Sequence, residues 1–196
     1  MRLVDDILET SMMESNPQEI APADTDFAKF FNEVCLTMAQ RVKDTSVSFV
    51  QDSPYASLPA CVDRQRIEQG ITNFVTNAVK YTSEGHIRVG YRVTPLEAET
   101  AVVPEIQGIP DTPGLLIFCE DTGAGIPKDK QYSVFDRFVK LNDYVQGTGL
   151  GLSICKSIAD RCGGRIGVFS EGEGKGTTFW LWIPRFLTLD NLKAEK

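Results

Sequence analysis

Two asparagines, Asn73 and Asn77, are the residues of this sequence whose type and spacing first suggest chemistry. They lie four residues apart on one face of a predicted amphipathic helix, and Lys80 follows one turn later. Asn costs up to about 0.7 kcal/mol relative to Ala in a helix interior, so two on one face invite a functional reason. An Asn amide oxygen can ligate Mg²⁺, and a Lys ammonium attracts phosphate. Taken alone, however, the pattern is better explained by a solvated helix face.

A carboxylate, Asp121, comes at the end of a predicted buried strand over residues 115–119, where a glycine-rich turn begins. Gly123 and Gly125 let the backbone of this turn approach a ligand or adopt a positive φ. A carboxylate only accepts hydrogen bonds, so Asp121 suits the exocyclic amine of adenine and disfavours the carbonyl of guanine. An Asp that bonds its own backbone in a strand-to-loop turn is the alternative explanation.

A second glycine cluster, residues 147–151, leads directly into a predicted helix over residues 152–162. The unpaired N–H groups and the positive end of the helix dipole make such a helix start a phosphate site. The spacing does not match a dinucleotide-binding fingerprint, which needs Gly-x-Gly-x-x-Gly directly after a strand. It does not match a P-loop either, which needs Gly-Lys followed by Ser or Thr.

A third glycine cluster, Gly172 to Thr177, separates predicted strands over residues 165–170 and 178–183. A simple hairpin turn and a direct contact with a ligand both explain it, and both stay open.

The elements that must position these groups alternate between amphipathic helices and apolar strands, which predicts an α+β fold. We expect a two-layer α/β sandwich, with a mixed sheet packed on one side by helices. Residues 94–113 are polar and carry several prolines, so we predict an extended loop there. The other predicted elements are a helix over 27–42, a strand near 46–51, the Asn-bearing helix, strands over 86–93 and 115–119, a short helix after the Asp121 turn, the glycine-started helix and the final hairpin.

In this order, the segments resemble the ATP-binding domain of sensor histidine kinases, in the GHKL superfamily that also contains gyrase, Hsp90 and MutL. The resemblance implies a Bergerat-type ATP-binding fold, with ATP and Mg²⁺ as cofactors. It extends from about Asp26 to Pro184. The motifs that carry it are the N box (Asn73 to Tyr81), the G1 box (Asp121 to Gly125), the F box (Phe135 to Phe138), the G2 box (Gly147 to Gly151) and the segment from Gly174 to Phe179.

The resemblance implies that Asn77 ligates Mg²⁺, that Asn73 supports the metal or its waters, and that Lys80 contacts phosphate. Tyr81 corresponds to a residue that packs near the nucleotide. The related ATPases carry Glu at the position of Asn73, where it is the general base for water. Asn cannot act as that base, so the resemblance implies a kinase with slow ATP hydrolysis, whose acceptor is a histidine.

Within the resemblance, Asp121 selects adenine, and residues 126–146 form a lid over the nucleotide. Arg137 and Lys140 on this lid are candidate cations for the γ-phosphate, and they complete a catalytic set with Asn73 and Lys80. The lid anchors are Phe135 and Phe138. The other implied nucleotide-binding residues are Gly123, Gly125, Ile126, Gly147, Thr148, Gly149, Leu150, Gly151 and Thr177.

The resemblance also predicts how the chain is divided. Residues 1–16 resemble the end of a dimerisation and phosphotransfer helix, 17–25 a linker, 26–186 the ATP-binding domain and 187–196 a polar tail. The single histidine, His86, precedes a predicted strand, and we expect a surface residue rather than the phosphoacceptor. The implied partners are therefore phosphoacceptor helices, a response regulator and, for the full-length protein, a second copy.

Composition excludes several other functions. The net charge of −7 and the pI of 4.8 argue against direct nucleic-acid binding. Five cysteines are scattered without metal-ligand spacing, and we expect them to be buried thiols. No apolar run is long enough for a membrane span and no signal-peptide pattern is visible, so we expect no membrane contact. The resemblance implies the cytoplasmic part of a bacterial, membrane-anchored sensor.

Two other classes of protein remain to be weighed. One is a non-catalytic nucleotide-binding or interaction module of the same fold. The other is an aspartic protease, because Asp121-Thr122-Gly123 matches the catalytic turn of that class. Such a protease needs two facing aspartates in an all-β frame, and the predicted helices argue against it.

Overall fold

The computed structural model describes residues 20–43, 46–96, 108–140 and 148–184. The helix expected over residues 1–16 and the tail expected over 187–196 lie outside these ranges. Within them, the strands are β1 (Ala23–Asp26), β2 (Val47–Asp52), β3 (Pro59–Val62), β4 (Gly85–Thr94), β5 (Gly114–Asp121), β6 (Arg165–Phe169) and β7 (Thr177–Pro184). The α-helices are α1 (Phe27–Ala39), α2 (Arg64–Tyr81) and α3 (Gly151–Arg161).

Five strands form one mixed sheet in the order β2-β4-β5-β7-β6. β2 runs parallel to β4, and every other neighbouring pair is antiparallel. β5 is the central strand, so Asp121 at its end pairs with Ile87 of β4 on one side and with Thr177 of β7 on the other. The helices bury their apolar faces with Leu115, Ile117 and Cys119, which alternate along β5. The predicted sheet with helices on one side is therefore confirmed.

The helix that carries the asparagines, α2, is fixed at its start and along its apolar face. Asp63 caps it by accepting a hydrogen bond from the Arg66 amide at 3.1 Å. Phe74 stacks on Phe179 of β7, with 5.7 Å between the ring centroids. The remaining buried apolar side chains of α2 are Ile67, Ile71, Val75 and Ala78. This packing leaves Asn73 and Asn77 half-buried on the polar side of the helix.

The opposite face of the sheet holds a separate aromatic cluster, made by Leu116, Phe118, Trp180 and Trp182. Trp180 lies over Gly167 of the neighbouring strand, where an added Cβ would come within 2.2 Å of the indole. Glycine is therefore required at 167 by the close approach of the ring. Leu96 and Ile109, from the two ends of the proline-bearing loop, pack against this cluster. Residues 97–107 of that loop lie outside the described residues.

Several element boundaries differ from the sequence expectations. β1 pairs antiparallel with β3 in a two-stranded sheet, and neither strand is predicted from the sequence. The linker expected over 17–25 therefore contains the first residues of a strand. α1 ends at Ala39, and the short helix expected in the lid is a single 3-10 turn over Lys128–Lys130. Pairing between β1 and β3 is a tertiary contact, which local periodicity does not encode.

Two glycine-to-alanine changes should have opposite effects on stability. Gly167→Ala forces a methyl group into the Trp180 indole, and overpacking of this kind costs about 1–3 kcal/mol. Gly70→Ala lies inside α2, where the added Cβ would meet Leu181 at an ordinary 3.6 Å. It should stabilise the chain by about 0.5–1 kcal/mol through the better helix propensity of Ala. Urea unfolding of both variants measures the difference, and a Gly167→Ala chain as stable as the parent would contradict the packing.

Candidate functional site

The Asp121 carboxylate lies at the end of β5 with only 6% of the residue exposed. Burial raises its pKa to about 6, although hydrogen bonds from the Gly123 and Thr177 amides favour the ionised form. The Gly123 amide donates to the carboxylate at 2.8 Å, which is the local bond expected of an Asp in a turn. Asp121 is thus a buried acceptor that is only partly satisfied by its own turn.

The third glycine cluster braces the turn that follows Asp121. The amides of Gly174 and Gly176 donate to the Ala124 and Gly123 carbonyls at 2.7 and 3.1 Å. Gly176 has a φ of 70°, and a Cβ there would lie 2.0 Å from the Asp121 carbonyl oxygen. The hairpin is therefore more than a simple turn, because it holds the shape of the Asp121 turn.

Ser170 and Gln131 also hold this turn in place, although no sequence pattern indicates them. The Ile126 amide donates to the Ser170 hydroxyl oxygen at 3.0 Å. The Gln131 side-chain amide donates to the Ile126 and Ser170 carbonyls at 3.0 and 2.7 Å. Ile126, expected at the nucleotide, also has its side chain in the main core. Ser and Gln are common in loops, so no pattern in the sequence distinguishes these two.

Asn73 joins α2 to the start of α3. Its side-chain amide donates to the Gly151 carbonyl at 3.1 Å, and a Cβ at 151 would lie 3.5 Å from its oxygen. Burial raises the pKa of the Cys155 thiol on α3 to about 12, while a hydrogen bond from Asn73 opposes the rise. Asn73 therefore positions the glycine-started helix. Asn77 lies one turn further along α2, toward Lys80.

Lys80 in the last turn of α2 and Lys140 on the lid are far apart in sequence but interact electrostatically. The pKa of Lys80 is lowered by partial burial and then by the positive charge of Lys140. Two like charges held close together favour an anion between them. Tyr81 follows Lys80 and is half-buried, and burial raises the pKa of its phenol.

The lid is anchored through one side chain and one backbone contact. Phe135 packs edge-on against Phe179, with 6.2 Å between the ring centroids, which fits the expected anchor. Phe138 does not pack as expected, because 63% of the residue is exposed. Its backbone has a φ of 61°, and its amide donates to the Gly149 carbonyl at 3.0 Å instead. Arg137 is exposed beside it, and the lid residues 141–146 lie outside the described ranges.

The second glycine cluster forms the start of α3, as expected. Gly149 has a φ of 75°, and a Cβ there would lie 2.8 Å from the Phe138 Cα, so the lid passes directly over it. Leu150 is fully buried in the core, and no side chain caps the first turn of α3. Thr148 accepts a hydrogen bond from the Leu150 amide at 3.4 Å. Gly147, another expected nucleotide-binding residue, lies outside the described residues.

The other candidate residues are the histidine and the cysteines. His86 is half-buried at the start of β4, where its amide donates to the Thr122 hydroxyl at 3.0 Å. All cysteines are free thiols; three of them are buried and Cys61 and Cys162 are half-buried. Across the described ranges, no cluster of His, Cys, Asp or Glu could hold a metal ion by itself. Nor does any helix in those ranges combine the length and hydropathy that spanning a bilayer requires.

A family comparison identifies the class of protein that this fold and site define. The family model for histidine kinase-, DNA gyrase B- and HSP90-like ATPases matches residues 62–186. The matched range includes α2, the Asp121 turn, the lid, the start of α3 and the final hairpin. The chain therefore belongs to this family, and the resemblance read from its motifs is confirmed.

The curated relatives are sensor kinases. The chain is 33% identical over 188 residues to the sensor protein kinase WalK of Staphylococcus epidermidis, covering 94% of this chain and 28% of that protein. It is 33% identical over 190 residues to a WalK from Staphylococcus aureus, covering 94% of this chain and 41% of that protein. The chain thus spans less than half the length of these relatives.

Solved structures show the same fold. The full-length kinase ShkA in complex with AMPPNP has a TM-score of 0.75 and 26% identity, over 95% of this chain and 36% of that chain. The histidine kinase AdeS of Acinetobacter baumannii has a TM-score of 0.67 and 23% identity, over 94% of this chain and 77% of that chain. The second likeness concerns the fold alone.

Asp121 should make the stability of the chain fall as pH rises from about 4 to about 7. Burial raises its pKa from 3.8 to about 6, so over this interval the folded state holds a proton that the unfolded state has released. That stabilisation is complete below the unfolded pKa and is lost as pH rises through the folded one. The free energy of unfolding of the parent minus that of Asp121→Asn should fall by up to about 3 kcal/mol.

Urea unfolding of the parent chain and of Asp121→Asn at both pH values measures this difference. Taking the difference between two chains removes the titration of every other carboxylate. A difference that stays constant with pH would show that Asp121 titrates normally.

Proposed function

We propose that this chain is the ATP-binding catalytic domain of a sensor histidine kinase, which transfers the γ-phosphoryl group of ATP to a histidine on a helical domain. The proposal rests on one observation. The same site has a buried hydrogen-bond acceptor at one end and positive charges at the other. Asp121 lies at the end of the central strand, whereas Lys80 is in the last turn of α2 and interacts electrostatically with Lys140 of the lid. A nucleotide has a polar base at one end and a polyanion at the other, and this arrangement complements both.

At the base end, Asp121 accepts a hydrogen bond from the exocyclic amine of adenine. Only the ionised carboxylate offers all of its lone pairs, so adenine binding favours loss of the Asp121 proton. The Gly123 and Thr177 amides already favour the ionised form. Gly123 and Gly125 keep this turn free of side chains, and Tyr81 packs near the base.

At the phosphate end, the proposed site combines cations with unpaired backbone amides. The first turn of α3 has no side-chain cap, so its N–H groups and the positive end of the helix dipole can face phosphate oxygens. Lys80, Lys140 and Arg137 would neutralise the charge of the transferring group. Phosphoryl transfer relies mainly on such positioning and charge stabilisation, and needs little covalent chemistry from the protein.

The residues present fit one Mg²⁺ ion carried with the nucleotide. Asn77 would ligate it with a neutral amide oxygen and Asn73 would support it, because no acidic cluster in the described ranges provides a site without the nucleotide. When bound, the ion supplies charge neutralisation and orientation of the phosphates. Asn73 also holds the Gly151 carbonyl and cannot act as a base for water, which favours transfer over hydrolysis.

The acceptor and the partners are part of the proposal. The histidine would come from dimerisation helices, whose end is expected over residues 1–16, and the phosphate would pass on to a response regulator. The full-length protein would act as a homodimer, with this domain on the cytoplasmic side of the membrane. His86 is not proposed as an acceptor, since it lies within a paired strand of the sheet.

The metal role of Asn77 is tested by Asn77→Ala. This change should weaken binding of Mg·ATP about tenfold or more and should leave metal-free ATP binding nearly unchanged, because it removes a ligand of the ion only. Calorimetry with ATP, with and without Mg²⁺, measures both affinities. Thr76→Ala, on the neighbouring position of α2, is the control. Equal losses with and without Mg²⁺ would mean that Asn77 is not a ligand of the ion.

The kinase assignment is tested with labelled ATP. Alone, the chain should bind ATP but neither phosphorylate itself nor release phosphate rapidly, because a donor without an aligned acceptor gains little catalysis. Addition of a dimerisation domain with its own histidine, from a sensor kinase such as WalK, should produce acid-labile label on that domain. Acid-labile label on His86, or rapid phosphate release, would contradict the proposal. Tight Mg²⁺-dependent binding without any transfer would indicate the non-catalytic module.

A further inference from the structure

A buried hydroxyl with no partner lies at the base end of the proposed site. Thr82 directly follows α2, and its backbone amide donates to the Ala78 carbonyl at 3.0 Å. The residue is only 6% exposed. In the part of the chain that the structure describes, its Oγ1 is the one buried side-chain nitrogen or oxygen atom without a hydrogen-bond partner. Buried polar groups are nearly always satisfied in native proteins, so such an exception requires a reason.

The surroundings of Thr82 place this hydroxyl beside Asp121. A Cβ added to Gly123 would lie 2.7 Å from the Thr82 Oγ1 and 2.3 Å from the Tyr81 carbonyl oxygen. The hydroxyl is also near enough to the Asp121 carboxylate to favour its ionised form. Its geometry nevertheless fails to complete a hydrogen bond within the protein. A donor and an acceptor are thus held side by side, and neither satisfies the other.

Another buried threonine, Thr94, shows the contrast. Thr94 is 2% exposed, yet its hydroxyl donates to the Thr112 carbonyl at 2.6 Å and accepts from the Trp182 indole at 2.9 Å. That hydroxyl has a structural role on the outer face of the sheet. The Thr82 hydroxyl completes no hydrogen bond of this kind, although Val has the same shape and would suit the extended backbone at this position. A buried hydroxyl that completes no hydrogen bond costs stability, and groups of this kind are typical of functional sites.

We propose that Thr82 is a second base-reading residue, whose hydroxyl donates a hydrogen bond to N1 of adenine while Asp121 accepts one from the neighbouring amine. The inference rests on the proposed nucleotide site and deepens it. Adenine presents an acceptor and a donor side by side on this edge, which matches a hydroxyl next to a carboxylate. Thr82 thereby contributes to the affinity and to the orientation of the base.

The test combines three variants with two nucleotides, ADP and an ADP analogue in which N1 is replaced by a carbon atom. Thr82→Val removes the hydroxyl and keeps the shape, Thr82→Ser keeps the hydroxyl, and Thr94→Val makes the same change far from the site. Calorimetry measures binding, and urea unfolding without nucleotide measures stability. A double-mutant cycle between Thr82→Val and the analogue isolates the pairwise contact.

We expect Thr82→Val to weaken ADP binding about three- to tenfold, as loss of one hydrogen bond would. The analogue should bind the parent chain more weakly by a similar factor, and Thr82→Val should weaken it little further. Thr82→Ser should retain most of the affinity for ADP. Without nucleotide, Thr82→Val should be as stable as the parent or more stable, whereas Thr94→Val should be less stable and bind ADP normally.

Three results would overturn the inference, and failure of the nucleotide site itself is distinguishable from the other two. If the parent binds ADP and Thr82→Val binds it equally well, Thr82 does not read the base, although the proposed function stands. The same conclusion follows if the losses from the variant and the analogue simply multiply. If the parent binds no ADP at all, the nucleotide site itself is wrong and the inference fails with it.

Discussion

The burial of one carboxylate is the constraint on which the rest of the site depends. Asp121 ends the central strand, and an ionised carboxylate there must be supported by donors. The Gly123 and Thr177 amides provide that support, which requires a turn without side chains next to β7. The hairpin amides of Gly174 and Gly176 then hold this turn in place. The glycines thus follow from the need to bring several backbones close to one buried charge.

The phosphate end depends on a second constraint, the contact between two helices. Asn73 on α2 donates to the Gly151 carbonyl at the start of α3, so a hydrogen bond links the helix proposed to ligate the metal to the helix proposed to face the phosphates. The lid adds to this through the Gly149 carbonyl, which accepts from the Phe138 amide. A polar residue expected only at the metal is therefore also part of the framework. The hydrogen bond to Gly151 by itself gives a structural reason for an Asn in the middle of a helix despite its poor propensity.

The two faces of the sheet have different roles. Its inner face packs on the helices that carry the site, whereas its outer face buries two tryptophans over glycines of the neighbouring strands. On the outer face, Arg92 also makes a bidentate pair with Asp52, at 3.0 and 2.8 Å. The aromatic cluster lies apart from the main core into which the helices pack. The site can therefore carry unsatisfied groups such as the Thr82 hydroxyl, because the core and the outer face supply the stability.

The sequence by itself determined the class of fold and the principal motifs. Helical and strand periodicity, and the glycine clusters at the ends of elements, are local patterns, so α2, β5, the Asp121 turn and the start of α3 follow from them. Tertiary structure alone decided which distant groups meet. The pairing of β1 with β3, the brace by Ser170 and Gln131, and the approach of Lys140 to Lys80 join segments far apart in the chain. Periodicity carries no information on such contacts, since they are set by how the elements pack.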